Sequence, residues 1–137
     1  MQADLGTTDG PERLVNVAKK EFGKADTLQI DIIINNAGVS VNRPVETCDA
    51  EDFAFQYNVN VRGPLLLIKA ALPYLPHDRT GRIVNVSSVS SALGYIGQSV
   101  YGGTKAALEA MTRTWSRELA ERATCNAVNP GPVATDM

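Results

Sequence analysis

Residues 30–38, Ile-Asp-Ile-Ile-Ile-Asn-Asn-Ala-Gly, decide the fold. Ile32-Ile33-Ile34 is a short, unbroken β-branched run, and a strand apolar on both faces belongs in the middle of a parallel sheet covered by helices. Asn36-Ala37-Gly38 then has the composition of a strand-to-loop turn, with small residues that let a flat ligand approach the backbone. Upstream, Asp9-Gly10-Pro11 reads as a helix entry, because proline is tolerated in a first turn. Pro11, Leu14, Val15, Ala18 and Phe22 recur at helical spacing, and Gly23 supplies the stop. Downstream, Thr47 or Asp49 caps a helix running through Phe53 and Phe55 toward Asn58. Gly63-Pro64 bends or restarts it before Leu65, and Pro73 and Pro76 close that segment. Residues 81–86, Gly-Arg-Ile-Val-Asn-Val, form a second strand. A long helix spans about Ser99 to Arg122, and 124–128 is a third strand leading into Asn129-Pro130-Gly131-Pro132.

This alternation predicts an α/β doubly wound parallel sheet in one domain. Such sheets bind ligands beyond the carboxyl ends of their strands. That rule gathers residues 36–38, 87–88 and 129–135 at one edge. At 44% apolar and 20% charged, disorder is not expected. A net charge of −2 argues against nucleic-acid or polybasic membrane partners. No apolar run is long enough to cross a bilayer, and the polar start is no signal peptide, so the expected setting is cytoplasmic. Cys48 and Cys125 lack metal or redox spacing and read as reduced thiols. The lone His77 has no partner cluster, and no metal is expected.

Chemistry points to the long helix. Tyr101 and Lys105 are four apart and share a face. A nearby ammonium favours a phenolate, bringing a tyrosine closer to useful acid–base work. A tyrosine beside a solvated lysine also occurs by chance in amphipathic helices. Here Ser88 ends a predicted strand thirteen residues earlier, where its hydroxyl could polarise a carbonyl or simply satisfy a turn. Tyr101, Lys105, Leu108, Thr112, Trp115 and Leu119 form one stripe, with Trp115 read as core or interface. Glu109/Arg113, Arg117/Glu121 and Glu118/Arg122 read as surface ion pairs. Val39, Ser40 and residues 92–97 suggest an apolar, small-residue lining.

Several short motifs now fall in register: Asn35-Asn36-Ala37-Gly38, Asn60 in Tyr57-Asn58-Val59-Asn60, Ser88 in Asn85-Val86-Ser87-Ser88, Tyr101-Gly102-Gly103-Thr104-Lys105, and Pro130-Gly131-Pro132-Val133-Ala134-Thr135. In order and approximate spacing the chain resembles the short-chain dehydrogenases/reductases along nearly its whole length, most generically the 3-oxoacyl reductases. The resemblance implies a Rossmann-like sheet, NADP or NAD as cofactor, and a small carbonyl/alcohol substrate. It implies Tyr101 as acid or base, Lys105 as its partner and a ribose ligand, Ser88 as the carbonyl-polarising hydroxyl, and Asn60 as holder of a relay water. Asp4 and Leu5 would meet the adenine; Asn36, Ala37 and Gly38 the adenosine side; Pro130, Gly131, Val133 and Thr135 the nicotinamide side. Helices 59–75 and 99–122 would pair copies into a homo-dimer or tetramer.

Against the family pattern, residues 1–137 read as a partial dinucleotide-binding/catalytic domain, lacking the first two βα units with their Gly-rich turn and the C-terminal strand. The Ile32–Ile34 strand is then expected to expose an apolar edge, and residues 1–137 alone are expected not to turn over substrate. The competing expectation is a catalytically inactive fragment that acts as a dimerisation module. The stretch 24–28 looks slightly long for the family. Gly102-Gly103 stands where the family prefers Ala or Ser, each Gly costing about 1 kcal/mol of helix propensity.

Overall fold

Three parallel strands, β1 (Ile32–Asn35), β2 (Gly81–Val86) and β3 (Ala123–Val128), lie side by side in that order in the computed structural model, which describes residues 2–23 and 27–132. Parallel neighbours need long crossovers, and helices supply them. After α1 (Gly10–Phe22), which precedes β1, these are α2 (Ala50–Tyr57) and α3 (Gly63–Ala71) between β1 and β2, and a short α4 (Ser90–Leu93) and α5 (Ser99–Glu118) between β2 and β3. The register sets Ile33, Ile83 and Cys125 in one row across the sheet. Val15 of α1, Ile68 and Ala71 of α3, and Trp115 and Leu119 near the end of α5 close over that row as a single core.

Two residues further along each strand, on the same face, the row turns polar. Asn35 donates to the Asn85 Oδ1 at 2.7 Å, and the Asn85 Nδ2 donates to the Thr112 hydroxyl at 2.7 Å. All three side chains are buried, so each bond spares a group that water cannot reach. The chain Asn35–Asn85–Thr112 ties β1 and β2 to α5 directly behind the strand ends.

The parallel α/β architecture matches the pattern of residues, with instructive differences. The helices of the core pack on one face of the three described strands. On the other face Ile32 and Ile34 are 63% and 61% exposed. The strand order also leaves β1 at one edge of the described sheet rather than at its centre, in keeping with the exposed apolar edge that the family pattern implied. Phe22 does not join the α1 stripe and stands 71% exposed. Asp49, not Thr47, caps α2, its carboxylate accepting from the Asp52 N–H at 2.7 Å. At Gly63-Pro64 the helix does not break. Pro64 cannot supply the donor that the Asn60 carbonyl takes in a regular helix, and a wider π-type turn at Asn58–Arg62 carries α2 into α3. The glycines at the head of α5 have a steric reason: a Cβ on Gly102 would lie 2.7 Å from the Ser90 carbonyl oxygen, and one on Gly103 3.0 Å from the Tyr57 hydroxyl.

At the end of α5, the expected partners Glu121 and Arg122 make longer reaches instead. Glu121 accepts from the Arg79 Nε at 3.0 Å. Arg122 donates to the Leu72 carbonyl at 2.9 Å and the Pro76 carbonyl at 2.6 Å, closing the segment that follows α3. Residues 24–26 of the loop thought long for the family lie outside the described residues.

Replacing Asn85 with alanine should strand the Asn35 amide in the core and take a donor from the Thr112 hydroxyl, which keeps its bond to the Leu108 carbonyl, and destabilise the protein by about 2–3 kcal/mol. Asn126→Ala, on the exposed face of β3, should stay within about 0.5 kcal/mol. Urea unfolding of the two variants beside the wild type checks this, and equal losses would mean the buried amide row carries no weight.

Candidate active site

The carboxyl ends of β1, β2 and β3 open into one cleft of about 660 Å³. Its walls include Asn36 and Gly38 after β1, Ser87 and Ser88 after β2, Pro130 and Gly131 after β3, and Tyr101 and Lys105 from the first turns of α5. A helix puts residues four apart on one face, and here that face looks into the cleft. The Lys105 Nζ lies 5.6 Å from the centre of the Tyr101 ring. Lys105 is only 4% exposed, and its ammonium donates to the Val86 carbonyl at 2.8 Å. Burial pulls its pKa below the ordinary lysine value.

Asn60 reaches the same place from the wide turn. Its Oδ1 accepts from the Val39 N–H at 2.8 Å, and its Nδ2 donates to the Val39 carbonyl at 2.8 Å and the Thr104 hydroxyl at 3.0 Å. One amide therefore clamps the loop after β1 to α5. Wide turns inside helices are a recurrent way to aim a functional side chain inward. A Cβ on Gly38 would sit 3.4 Å from the Lys105 Nζ and 3.5 Å from the Asn60 Oδ1, so the glycine leaves open a small space beside both groups.

Ser88 accepts from the Ser90 N–H and donates to the Ser90 hydroxyl, both at 3.1 Å. The Ser90 hydroxyl in turn donates to the Gln98 Oε1 at 2.6 Å. Behind them, Glu109 accepts from the Ser87 hydroxyl at 2.8 Å and the Asn129 amide at 2.7 Å, joining α5 to the segments after β2 and β3. Burial works to raise the pKa of this carboxyl. Hydrogen bonds from Ser91, Ser87 and Asn129, with the charge of Arg113, outweigh it and hold the pKa below the usual value.

Of the residues singled out from sequence, Asn36, Gly38, Ser88, Tyr101, Lys105, Pro130 and Gly131 line the cleft. Asn60 stands just behind, and Ala37 is exposed beside it without forming its wall. Asp4 and Leu5 lie elsewhere, across the start of α3. Asp4 closes a local turn by accepting from the Gly6 N–H at 2.8 Å, and a Cβ on Gly63 would meet the Leu5 carbonyl oxygen at 2.7 Å. Val133 and Thr135 lie outside the described residues. The lining includes Ser40 and Tyr95 from the segments expected there and apolar surface from Val86, Val89 and Pro132, while Asn42, Ser90 and Gln98 add polar groups that the expectation did not contain. Glu109 and Gln98 were missed because their spacing resembles an ordinary helix surface and helix start. Among the described residues no group of three or more His, Cys, Asp or Glu could hold a metal ion, and no helix is long and apolar enough to cross a membrane.

Comparison with known proteins gives the family and agrees with the fold. A family model described as short chain dehydrogenase matches residues 1–137. The chain is 53% identical over 147 residues to an L-xylulose reductase of Aspergillus niger, a match covering 100% of the chain and 49% of that protein. It is 60% identical over 114 residues to an L-xylo-3-hexulose reductase of Hypocrea jecorina, covering 80% of the chain and 38% of that protein. Among solved structures, a blue fluorescent protein from a metagenomic library in complex with NADPH superposes with a TM-score of 0.89 at 35% identity, covering 99% of this chain and 53% of that one. A short-chain dehydrogenase/reductase of Brucella melitensis gives 0.90 at 34% identity, covering 100% and 53%. The chain spans about half the length of these relatives, or less.

The depressed pKa of Glu109 makes stability depend on pH in a fixed direction. Its contribution is complete above the ordinary carboxylate range and is lost as pH falls through the lowered folded value. Glu109→Gln should be less stable than the wild type at neutral pH, and the gap should narrow between about pH 5 and pH 3. Urea midpoints across that range test the sign, and a gap that widened on acidification would contradict it.

Proposed function

The chain belongs to the short-chain dehydrogenase family, and on that premise we propose that this cleft performs NAD(P)-dependent interconversion of a small polyhydroxylated ketone and its alcohol. The observation that carries the reading is that Ser88, Tyr101 and the buried Lys105 line one cleft at the strand ends. The polar lining contributed by Ser40, Asn42 and Gln98 suits a substrate with several hydroxyls. Two similar proteins, named as reductases of L-xylulose and L-xylo-3-hexulose, point to the same substrate class.

The residues present fit a nicotinamide cofactor. Gly38 leaves the open space beside Lys105, and a Cβ on Gly131 would meet nothing within 4 Å. Asn36, Gly38, Pro130 and Gly131 would flank the cofactor, and Lys105 would hydrogen-bond its ribose hydroxyls. When bound, the cofactor supplies or accepts the hydride at the carbonyl carbon. Tyr101 gives its phenolic proton to the carbonyl oxygen, completing the alcohol, and takes it back in the reverse direction. Lys105, beside the ring, stabilises the negative charge left on the phenol oxygen. Ser88 donates to the carbonyl oxygen and stabilises charge developing there. Asn60 holds the loop after β1 in register with α5 and belongs to the path by which Tyr101 regains its proton. NADP and NAD are both compatible with these residues.

A copy-to-copy contact over the helices spanning 59–75 and 99–122 belongs to the same reading, with Leu65 on the outer side of α3 44% exposed. Cys48 and Cys125 carry free thiols, which suits a cytoplasmic setting.

In the full-length protein, Tyr101→Phe should lower kcat for L-xylulose reduction with NADPH by about 10²–10⁴-fold while leaving the unfolding midpoint unchanged. Turnover within a few-fold of wild type would remove the acid role. Gly38→Ala, with no positive φ to oppose it, should fold normally and weaken cofactor binding, read by fluorescence titration with NADPH. Unaltered binding would take Gly38 out of the cofactor site.

A further inference from the structure

The proton of the Ser88 hydroxyl is already committed. A serine hydroxyl has one hydrogen and two lone pairs. In the free cleft the Ser88 hydrogen points at Ser90, while the Ser90 N–H occupies one Ser88 lone pair. The Ser90 hydrogen is drawn in turn to the Gln98 Oε1 at 2.6 Å. Both hydroxyl donations run away from the place a carbonyl oxygen would occupy. The chain cannot relax by drifting apart, because Ser90 is buried and α5 crosses it at Gly102, where a Cβ would lie 2.7 Å from the Ser90 carbonyl oxygen. Gln98 is held at the same crossing. Its N–H donates to the Tyr95 carbonyl at 3.1 Å, and its own carbonyl accepts from the Gly102 N–H at 2.7 Å.

A primary amide can resolve the conflict, because a half-turn of its last bond exchanges an acceptor for a donor. With the Gln98 Nε2 facing Ser90, the whole chain reverses: Gln98 donates to Ser90, Ser90 to Ser88, and Ser88 to the carbonyl oxygen. No covalent bond changes and no proton leaves its oxygen; only the direction of donation does. We propose that Gln98 is a positioning residue that sets the direction in which Ser88 donates, acting through Ser90. This rests on the reading of Ser88 as the carbonyl-polarising group. It adds a reversible three-residue relay at the head of the helix that carries Tyr101, three residues further on.

The test compares Gln98→Glu with Gln98→Met in the full-length protein, using L-xylulose and NADPH. A carboxylate can only accept, so Gln98→Glu should lock the resting direction and lower kcat at neutral pH by about 10–100-fold. Methionine neither locks nor drives the relay and should cost less. The titratable side chains that line the cleft are Tyr95, Tyr101 and Lys105, and dividing each variant's rate by the wild-type rate removes their common contribution. For Gln98→Glu this ratio should climb as pH falls and the introduced carboxyl gains a proton it can donate. For Gln98→Met it should stay flat. Equal losses with flat ratios in both variants would overturn the proposal.

A second reading needs no turnover. Carbon-13 NMR titration of the introduced carboxyl should show its pKa rising by about one unit on adding Ser90→Ala. It should rise by about 0.3 unit on adding Ser88→Ala, because Ser88 polarises the Ser90 donor. A carboxyl indifferent to Ser88 would sink the relay. If instead the wild type proves inactive, or Tyr101→Phe keeps its rate, the proposed function fails, and the titration still decides for or against Gln98.

Discussion

The arrangement depends on a lysine ammonium held out of water against the last carbonyl of a strand. Lys105 is all but inaccessible, and its bond to Val86 fixes the first turns of α5 against the carboxyl end of β2. An isolated buried ammonium would be costly. Here the carbonyl accepts from it, and the Tyr101 ring face lies nearby. Once that bond is made, little freedom remains in where Tyr101 can stand. The phenol inherits its place from a lysine one turn further along.

Polar side chains behind the cleft turn that single bond into a frame. Asn60 grips both backbone groups of Val39 and reaches Thr104; Asn85 joins Asn35 to Thr112; Glu109 gathers Ser87 and Asn129. Each links α5 to the strands or to segments leaving them. Three strand ends and one helix are therefore positioned relative to one another by hydrogen bonds rather than by apolar packing, which is concentrated deeper, around Ile83 and Trp115. Apolar contacts are non-directional, whereas a bidentate amide admits few geometries. A site that must hold a hydroxyl, a phenol and an ammonium around one small group benefits from the second kind of constraint.

Glycine serves this frame by absence. At Gly102 the helix presses onto the Ser90 backbone, and at Gly38 a side chain would begin to fill the space beside Lys105 and Asn60. The helix propensity lost at Gly102 is about 1 kcal/mol. It is offset by an approach between α5 and the segment after β2 that no residue with a Cβ could make.

Periodicity and composition were enough for the three strands, the four longer helices and the shared face of Tyr101 and Lys105, because these follow from local backbone geometry and from the 3.6- and 2-residue repeats; they did not reveal the short α4, and α5 ends at Glu118 rather than Arg122. The β2 strand was legible to the residue, and the stripe from Lys105 through Leu108, Thr112, Trp115 and Leu119 is buried as its spacing required. Spacing could not reveal that Glu109 turns inward to Ser87 and Asn129, that Glu121 meets Arg79, or that Asp4 and Leu5 lie over the start of α3. Nor could it show that the cleft is lined by Gln98, Ser90 and Asn42, or that one face of β1 carries no helix among the described residues. Those outcomes depend on which segments the fold brings together, many of them far apart in sequence. A local sequence determines what a residue can donate, accept or bury; only the folded chain decides which partner arrives within hydrogen-bonding distance.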